Sequence, residues 1–216
     1  MMTLVLNPAG PVTRILCLGA HCDDIEIGCG GALLRLLAER PKAEVRWVVF
    51  CSNPVRAAEA DACARRFLQA APGSKIQIEK FRDGFLPYHG GEVKDYFEKL
   101  KKEFQPDLIF THTRHDAHQD HRLICELTWN TWRNHLVLEY EIPKYDGDLG
   151  SPNFFIPLTP EIARRKIDAI MEGFGSQRDK HWFTPDTFMA ILRIRGLESV
   201  APDGLAEGFY CRKLVV

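Results

Sequence analysis

Short apolar runs alternate with longer amphipathic stretches along this chain, and the two kinds differ in period and length. Ile15 to Leu18, Val45 to Phe50, Lys75 to Phe81 and Leu108 to Phe110 are brief and rich in β-branched, aliphatic or aromatic residues, as buried strands are. Between them, Ala32 to Arg40, Val55 to Ala71 and about Glu92 to Phe104 read as helices; Gly28, Gly30 and Gly31 are expected to open the first of them. A further helix is expected after Leu108 to Phe110, carrying Leu123, Leu127, Trp129 and Trp132.

Beyond Val137 the alternation is less regular. VLEYEI reads as another strand, and Pro143 to Pro157, with its Gly, Asp, Asn and Pro, has the composition of a long loop suited to covering a substrate. Thr159 and Thr184 each precede a proline and an acidic residue, so each is expected to cap a helix, from Pro160 to Gly173 and from Pro185 to Arg195 with Gly196 as its stop. The tail from Gly208 to Val216 ends in a strand-like run. Strands alternating with helices predict an α/β fold, with a Rossmann-like, mostly parallel sheet, helices on both faces and right-handed crossovers. No repeat or linker divides it, so residues 1–216 are expected to form one domain.

Composition narrows the classes without choosing a function. With 216 residues, 45% hydrophobic and 26% charged, the chain is long enough to bury a substantial core. A formal net charge of −1 gives no reason to expect nucleic acid or an anionic membrane as partner. Seven cysteines without a CxxC pair point to a reducing compartment. The opening MMTLVL lacks the basic flank and length of a secretory leader, and no stretch approaches the ~20 apolar residues of a membrane span. The expected location is therefore cytoplasmic, with no integral membrane segment. Nothing in the sequence opposes a homo-oligomer.

Two stretches carry the chemistry. In ILCLGAHCDDIEIGCGG, residues 15–31, an apolar strand ends in His21, Asp23 and Asp24, at the strand edge where open α/β sheets bind ligands. His21 and Asp24 can reach one metal ion while Asp23, pointing elsewhere, is left as a base. An N-cap carboxylate before a helix would be the structural alternative. In PDLIFTHTRHDAHQDHR, residues 106–122, a second strand runs into His112, His115, His118 and His121, half of the chain's eight histidines, beside Asp116 and Asp120. Solvent exposure explains such a concentration poorly. A catalytic zinc needs a third protein ligand and one open position, so not all of these residues can be ligands.

AHCDDIEIGCGG resembles the AHPDDxExGCGG signature of the PIG-L/LmbE-like zinc deacetylases, and THTRHDAHQDHR is similar to their second motif, which ends HxDH. Order and separation also match. The resemblance implies a Zn2+ held by His21, Asp24 and His121, with Asp23 as general base and with His118, oriented by Asp120, facing the substrate carbonyl. It also brings in Arg56 as a substrate-binding candidate. Echoes of the family extend to Glu59, Asp83, Gly84, Lys166, Ser176 and Gln177. Cys22 replaces the usual proline, placing a thiol near the metal where it could bind soft metals or be oxidised. Asp116 is the preferred partner for orienting a ligand ring. Tyr140, Tyr145, Trp182 and Phe183 are expected to be packing residues.

The reaction implied is removal of the acetyl group from an N-acetylated amino sugar of the N-acetylglucosamine type, or a conjugate of one, with a small molecule rather than nucleic acid as partner. Two other classes share part of the pattern. Two histidines and one carboxylate also make the facial triad of non-haem iron oxygenases. Glycines after a first strand suggest a nucleotide-binding module, although GCGG lacks the GxGxxG spacing.

Overall fold

The computed structural model describes residues 12–214; the MMTLVL run and the last two residues of the tail lie outside them. In chain order the elements are β1 (Arg14–Gly19), α1 (Asp24–Glu39), β2 (Glu44–Cys51), α2 (Pro54–Phe67), β3 (Lys75–Phe81), α3 (Gly90–Glu103), β4 (Leu108–His112), α4 (Gln119–Thr131), β5 (Leu136–Tyr140), β6 (Phe154–Pro157), α5 (Pro160–Gly173), α6 (Pro185–Ser199) and β7 (Ala206–Cys211). One seven-stranded sheet runs in the order β3-β2-β1-β4-β5-β7-β6. The first five of these strands are parallel, and β7 runs antiparallel to both β5 and β6. The fold is the Rossmann-like α/β class expected.

The strand order reverses between β1 and β4, which pair directly with Ile15 opposite Leu108. Connections leave these two strands toward different faces, opening a crevice at their carboxyl ends. Along β1, side chains alternate between two cores. Ile15 and Cys17 join the larger one with Trp47, Phe67, Phe110 and Phe174, while Leu16 and Leu18 join the smaller with Phe50, Phe97 and Trp132. A strand buried on both faces reads as a continuous apolar run, which is why β1, β2 and β4 were legible.

Helix boundaries differ from the expected ones at glycines, which lie inside the helices. Helix α1 begins at Asp24, so Gly28, Gly30 and Gly31 lie inside it. Close packing requires them there: a Cβ on Gly28 would run into the Tyr140 ring, one on Gly30 would lie 2.7 Å from Phe67, and one on Gly31 would lie 2.9 Å from the Glu207 carboxylate. Nor are these glycines a loop of amides around a phosphate, which removes the basis of the nucleotide-binding alternative. Gly196 likewise does not end α6. Its missing side chain admits the backbone of Gly204, and the helix closes at Val200 in the left-handed conformation, φ 51°. The caps Thr159 and Thr184 accept from the amides of Ile162 and Thr187, as their sequence context predicts.

Within residues 143–157 the loop gives way to β6, because Phe154 to Pro157 pair with Ala206 to Phe209 at the sheet edge. Helix α2 stops at Phe67, short of the expected Ala71. Among the described residues no helix is long and apolar enough to cross a membrane.

Candidate metal centre

The ends of β1 and β4 each turn immediately into a helix, and the side chains of interest belong to the two turns. His21 follows β1, and Asp24 opens α1. His118 caps α4, with Asp120 and His121 in its first turn. Asp23 occupies the N-cap position of α1, yet its carboxylate makes no capping hydrogen bond. The capping alternative for HCDD therefore accounts for neither carboxylate, since Asp24 Oδ2 accepts from the amide of His21, at 2.6 Å.

Three atoms converge. His21 Nδ1 lies 3.0 Å from His121 Nε2, and Asp24 Oδ2 lies 3.4 Å from the first and 3.5 Å from the second. The other nitrogen of each ring already has an acceptor: His121 Nδ1 lies 2.9 Å from Asp116 Oδ2, while His21 Nε2 lies 3.1 Å from Asp83 Oδ1 and 3.3 Å from Asp120 Oδ2. Those partners assign the ring protons to Nδ1 of His121 and Nε2 of His21. The facing nitrogens then carry lone pairs, and a carboxylate oxygen adds another. Three lone pairs without a proton to share repel one another unless a cation lies between them. Ligands of a tetrahedral zinc, at ~2.0–2.1 Å from it, are about 3.3 Å apart, so the triangle fits a metal of that size.

The electrostatics agree. Burial pulls His21 down, but the carboxylates of Asp24, Asp120 and Asp83 together hold it well above the ordinary value, so the metal-free ring relieves the repulsion by taking a proton. Burial, followed by the neighbouring His112, pushes His121 down to about 4 and keeps it neutral. Burial raises the carboxyl of Asp23, against the opposing pull of Arg56.

The cavity beside this triangle has a volume of about 180 Å³ and is lined by His21, Asp23, Asp24, Arg56, Asp83, His118 and His121, and by Lys144, Tyr145, Asp146, Lys180 and Trp182 from the later loops. Arg56 Nη2 donates to Asp23 Oδ1 at 2.8 Å, and Nη1 lies 3.5 Å from Asp83. Arg56 and Asp23 are thus in direct contact, an arrangement their separation of 33 residues did not suggest.

Two expectations are corrected. The carboxylate of Asp120 does not hold the His118 ring. It accepts from the amides of Gly84 and Leu86 and reaches His21, whereas the bond to His118 Nδ1 comes from the Asp120 backbone amide at 3.2 Å. In the first turn of a helix the amide of the second residue after the cap points back at the cap side chain, and the carboxylate points outward. Cys22 likewise turns from His21, Asp24 and His121 into the core, donating to the carbonyl of Cys51 at 3.4 Å. Burial pushes this fully enclosed thiol up to about 12, far from thiolate chemistry.

Other residues gained or lost significance. His112, buried beneath the site, receives the amide of Ala20, lies 3.1 Å from Asp24 Oδ2 and stacks on His121 with ring centres 3.9 Å apart. Asp83, in sequence only an echo of the family, meets both His21 and Arg56. His115 is exposed and near Tyr210, away from the triangle. Tyr140 donates to the Leu18 carbonyl and packs in the core, whereas Tyr145 and Trp182 line the cavity.

Residues 16–132, a span that holds both motifs, match the PIG-L family, GlcNAc-PI de-N-acetylase. No curated protein matches the chain by sequence. Among solved structures, N,N'-diacetylchitobiose deacetylase from Pyrococcus horikoshii is 23% identical, with TM-score 0.71 over 91% of this chain and 82% of that one. A teicoplanin deacetylase in its zinc-inhibited form is 17% identical, with TM-score 0.70 over 92% and 97%. The 4-carboxy-2-hydroxymuconate hydratase of Pseudomonas putida is 15% identical, with TM-score 0.74 over 94% and 98%. At these identities the likeness is one of fold.

Proposed function

The chain belongs to the PIG-L family of de-N-acetylases, and from that premise we propose that it removes the N-acetyl group from an amino sugar of the N-acetylglucosamine type or from a sugar conjugate. The observation that carries the reading is the convergence of His21 Nδ1, His121 Nε2 and Asp24 Oδ2 beside a buried Asp23 whose carboxylate makes no capping bond. These three atoms would hold Zn2+, which when bound acidifies water and polarises an amide carbonyl.

The remaining work falls to the chain's own side chains. Asp23, raised by burial and held in place by Arg56, takes the proton of the attacking water and returns it to the departing amine. His118 accepts the Asp120 amide at Nδ1, so its neutral ring carries its proton on Nε2, a donor for the oxyanion that develops at the carbonyl. Burial, followed by the charge of His21, lowers His118 and favours that neutral form. Asp116 and the pair Asp83 and Asp120 fix the ring orientations of the two histidine ligands. Arg56, bound to Asp23, acts on the substrate from the same side as the base.

The test is release of acetate from a panel of N-acetylated sugars and sugar nucleotides, with and without chelator. Release that chelation stops and zinc restores supports the reading, while activity indifferent to chelation in metal-free protein overturns it. The hydratase of the same fold motivates a second reading, addition of water to an unsaturated acid. That reaction consumes a chromophore and releases no acetate, so the two are separable in one sample.

A further inference from the structure

Three cations line the cavity, and two are already matched by carboxylates. Arg56 lies against Asp23 and Asp83, and Lys144 Nζ lies 3.0 Å from Asp116 and 2.5 Å from Asp148. Lys180 differs. Among the described residues its ammonium forms no ion pair, and its neighbour is the face of Trp182, whose ring centre is 5.5 Å from Nζ. An aromatic face attracts the charge but accepts no strong hydrogen bond, so the three N–H donors remain for water or a ligand.

Position gives that charge a direction. Lys180 and Trp182 line the same cavity as His21, Asp24 and His121, on the side of the later loops. The exposed lining residues, Asp83, Tyr145, Asp146 and Lys180, mark the mouth. Tyr145 stands perpendicular to Trp182 with ring centres 6.4 Å apart, giving the mouth an aromatic wall. Asp83 and Asp146 put negative charge on the same rim, so Lys180 is the exposed cation there that an incoming anion can meet. With a volume of about 180 Å³ the cavity takes roughly one sugar ring, and whatever that ring is attached to must extend through the mouth.

We infer that Lys180, held by Trp182, is a specificity-determining residue that pairs with an anionic group, phosphate or carboxylate, on the part of the substrate beyond the acetylated sugar. The inference rests on the deacetylase reading only for the identity of that sugar.

The experiment uses the zinc-loaded full chain and two readouts. Binding of glucosamine 1-phosphate and of methyl glucosaminide is measured by calorimetry, which needs no turnover. Acetate release is measured from N-acetylglucosamine 1-phosphate, from a carboxymethyl glycoside of N-acetylglucosamine and from its methyl glycoside. The wild-type chain should favour the anionic member of each set. Lys180→Met should reduce that preference about two- to fivefold, the range of one ion pair at an exposed site, and Lys180→Arg should restore most of it. Preference for only one of the two anions identifies the group recognised. A wild-type chain without preference, or a Lys180→Met chain that weakens charged and neutral ligands alike, overturns the inference. If no acetate is released from any substrate, the deacetylase reading fails while the calorimetric preference still decides the role of Lys180.

Discussion

Two groups of charged side chains are buried against helix α1, one at its N-terminus and one at its middle, and they are satisfied in different ways. At mid-helix, Lys166 donates to the carbonyl of Ile27 at 2.7 Å and to Glu207 Oε1 at 2.6 Å, while the two oxygens of Glu207 accept the amides of Gly31 at 2.8 Å and Ala32 at 2.6 Å. A regular helix would bond those amides to its own preceding turn. Here a lysine and a glutamate from α5 and β7 are spliced into the ladder, and every charge meets a partner. At the N-terminus, by contrast, His21, Asp24 and His121 turn lone pairs toward one another. Burial is comparable in the two groups, with Lys166 2% and Asp24 3% exposed. What separates structure from chemistry is whether the donors and acceptors close among themselves or leave a cation to be supplied.

The sharpest way to break this contrast is at the two adjacent carboxylates. Asp24→Ala, which removes one of three proposed ligands, should bring zinc per chain close to zero. Asp23→Asn should keep zinc and lose a factor of ~10² to 10⁴ in turnover. If zinc content falls for Asp23→Asn and not for Asp24→Ala, the two roles are exchanged.

The mid-helix pair should respond in stability. Glu207→Ala leaves Lys166 charged in the core, and a loss of about 3–5 kcal/mol is expected in denaturant unfolding of the zinc-free chain, compared with zinc-free wild type. Unchanged stability would show that this pair is not a closed structural device.

Between these extremes stands Asp116, which is buried and paired like Glu207 but serves a proposed ligand. Asp116→Asn should weaken zinc binding by about 10- to 100-fold in a chelator competition. Affinity equal to wild type would remove Asp116 from the site. The smallest effect belongs to Cys22. Cys22→Ala should leave zinc affinity and turnover within about twofold, since its thiol is directed to a backbone carbonyl and away from the proposed ligands. A larger shift in either would mean that the thiol reaches the metal.

Much of this was legible along the chain. Strands buried on both faces must be apolar throughout, and Pro160 and Pro185 after capping threonines have a local physical meaning that tertiary packing did not alter. The concentration of His and Asp after two strands identified the site as a region. Glycine is ambiguous in sequence, because one required by a neighbour's close approach has the same letter as one that ends a helix. Gly28 and Gly196 are of the first kind, and their neighbours, Tyr140 and Gly204, are identified by packing rather than by adjacency to the motif.

By itself, then, the sequence determined the α/β class, the helix caps, and the two motifs that supply histidines and carboxylates, since each of these depends on residues a few positions apart. Only the tertiary structure decided which atom faces which. That Asp120 serves His21 rather than the ring of His118, that Arg56 lies on Asp23, and that Lys166 and Glu207 enter α1 all depend on chain segments far apart in sequence meeting at one place. Hydrogen-bond direction there is set by ångström-scale approach, and residue spacing carries no record of it.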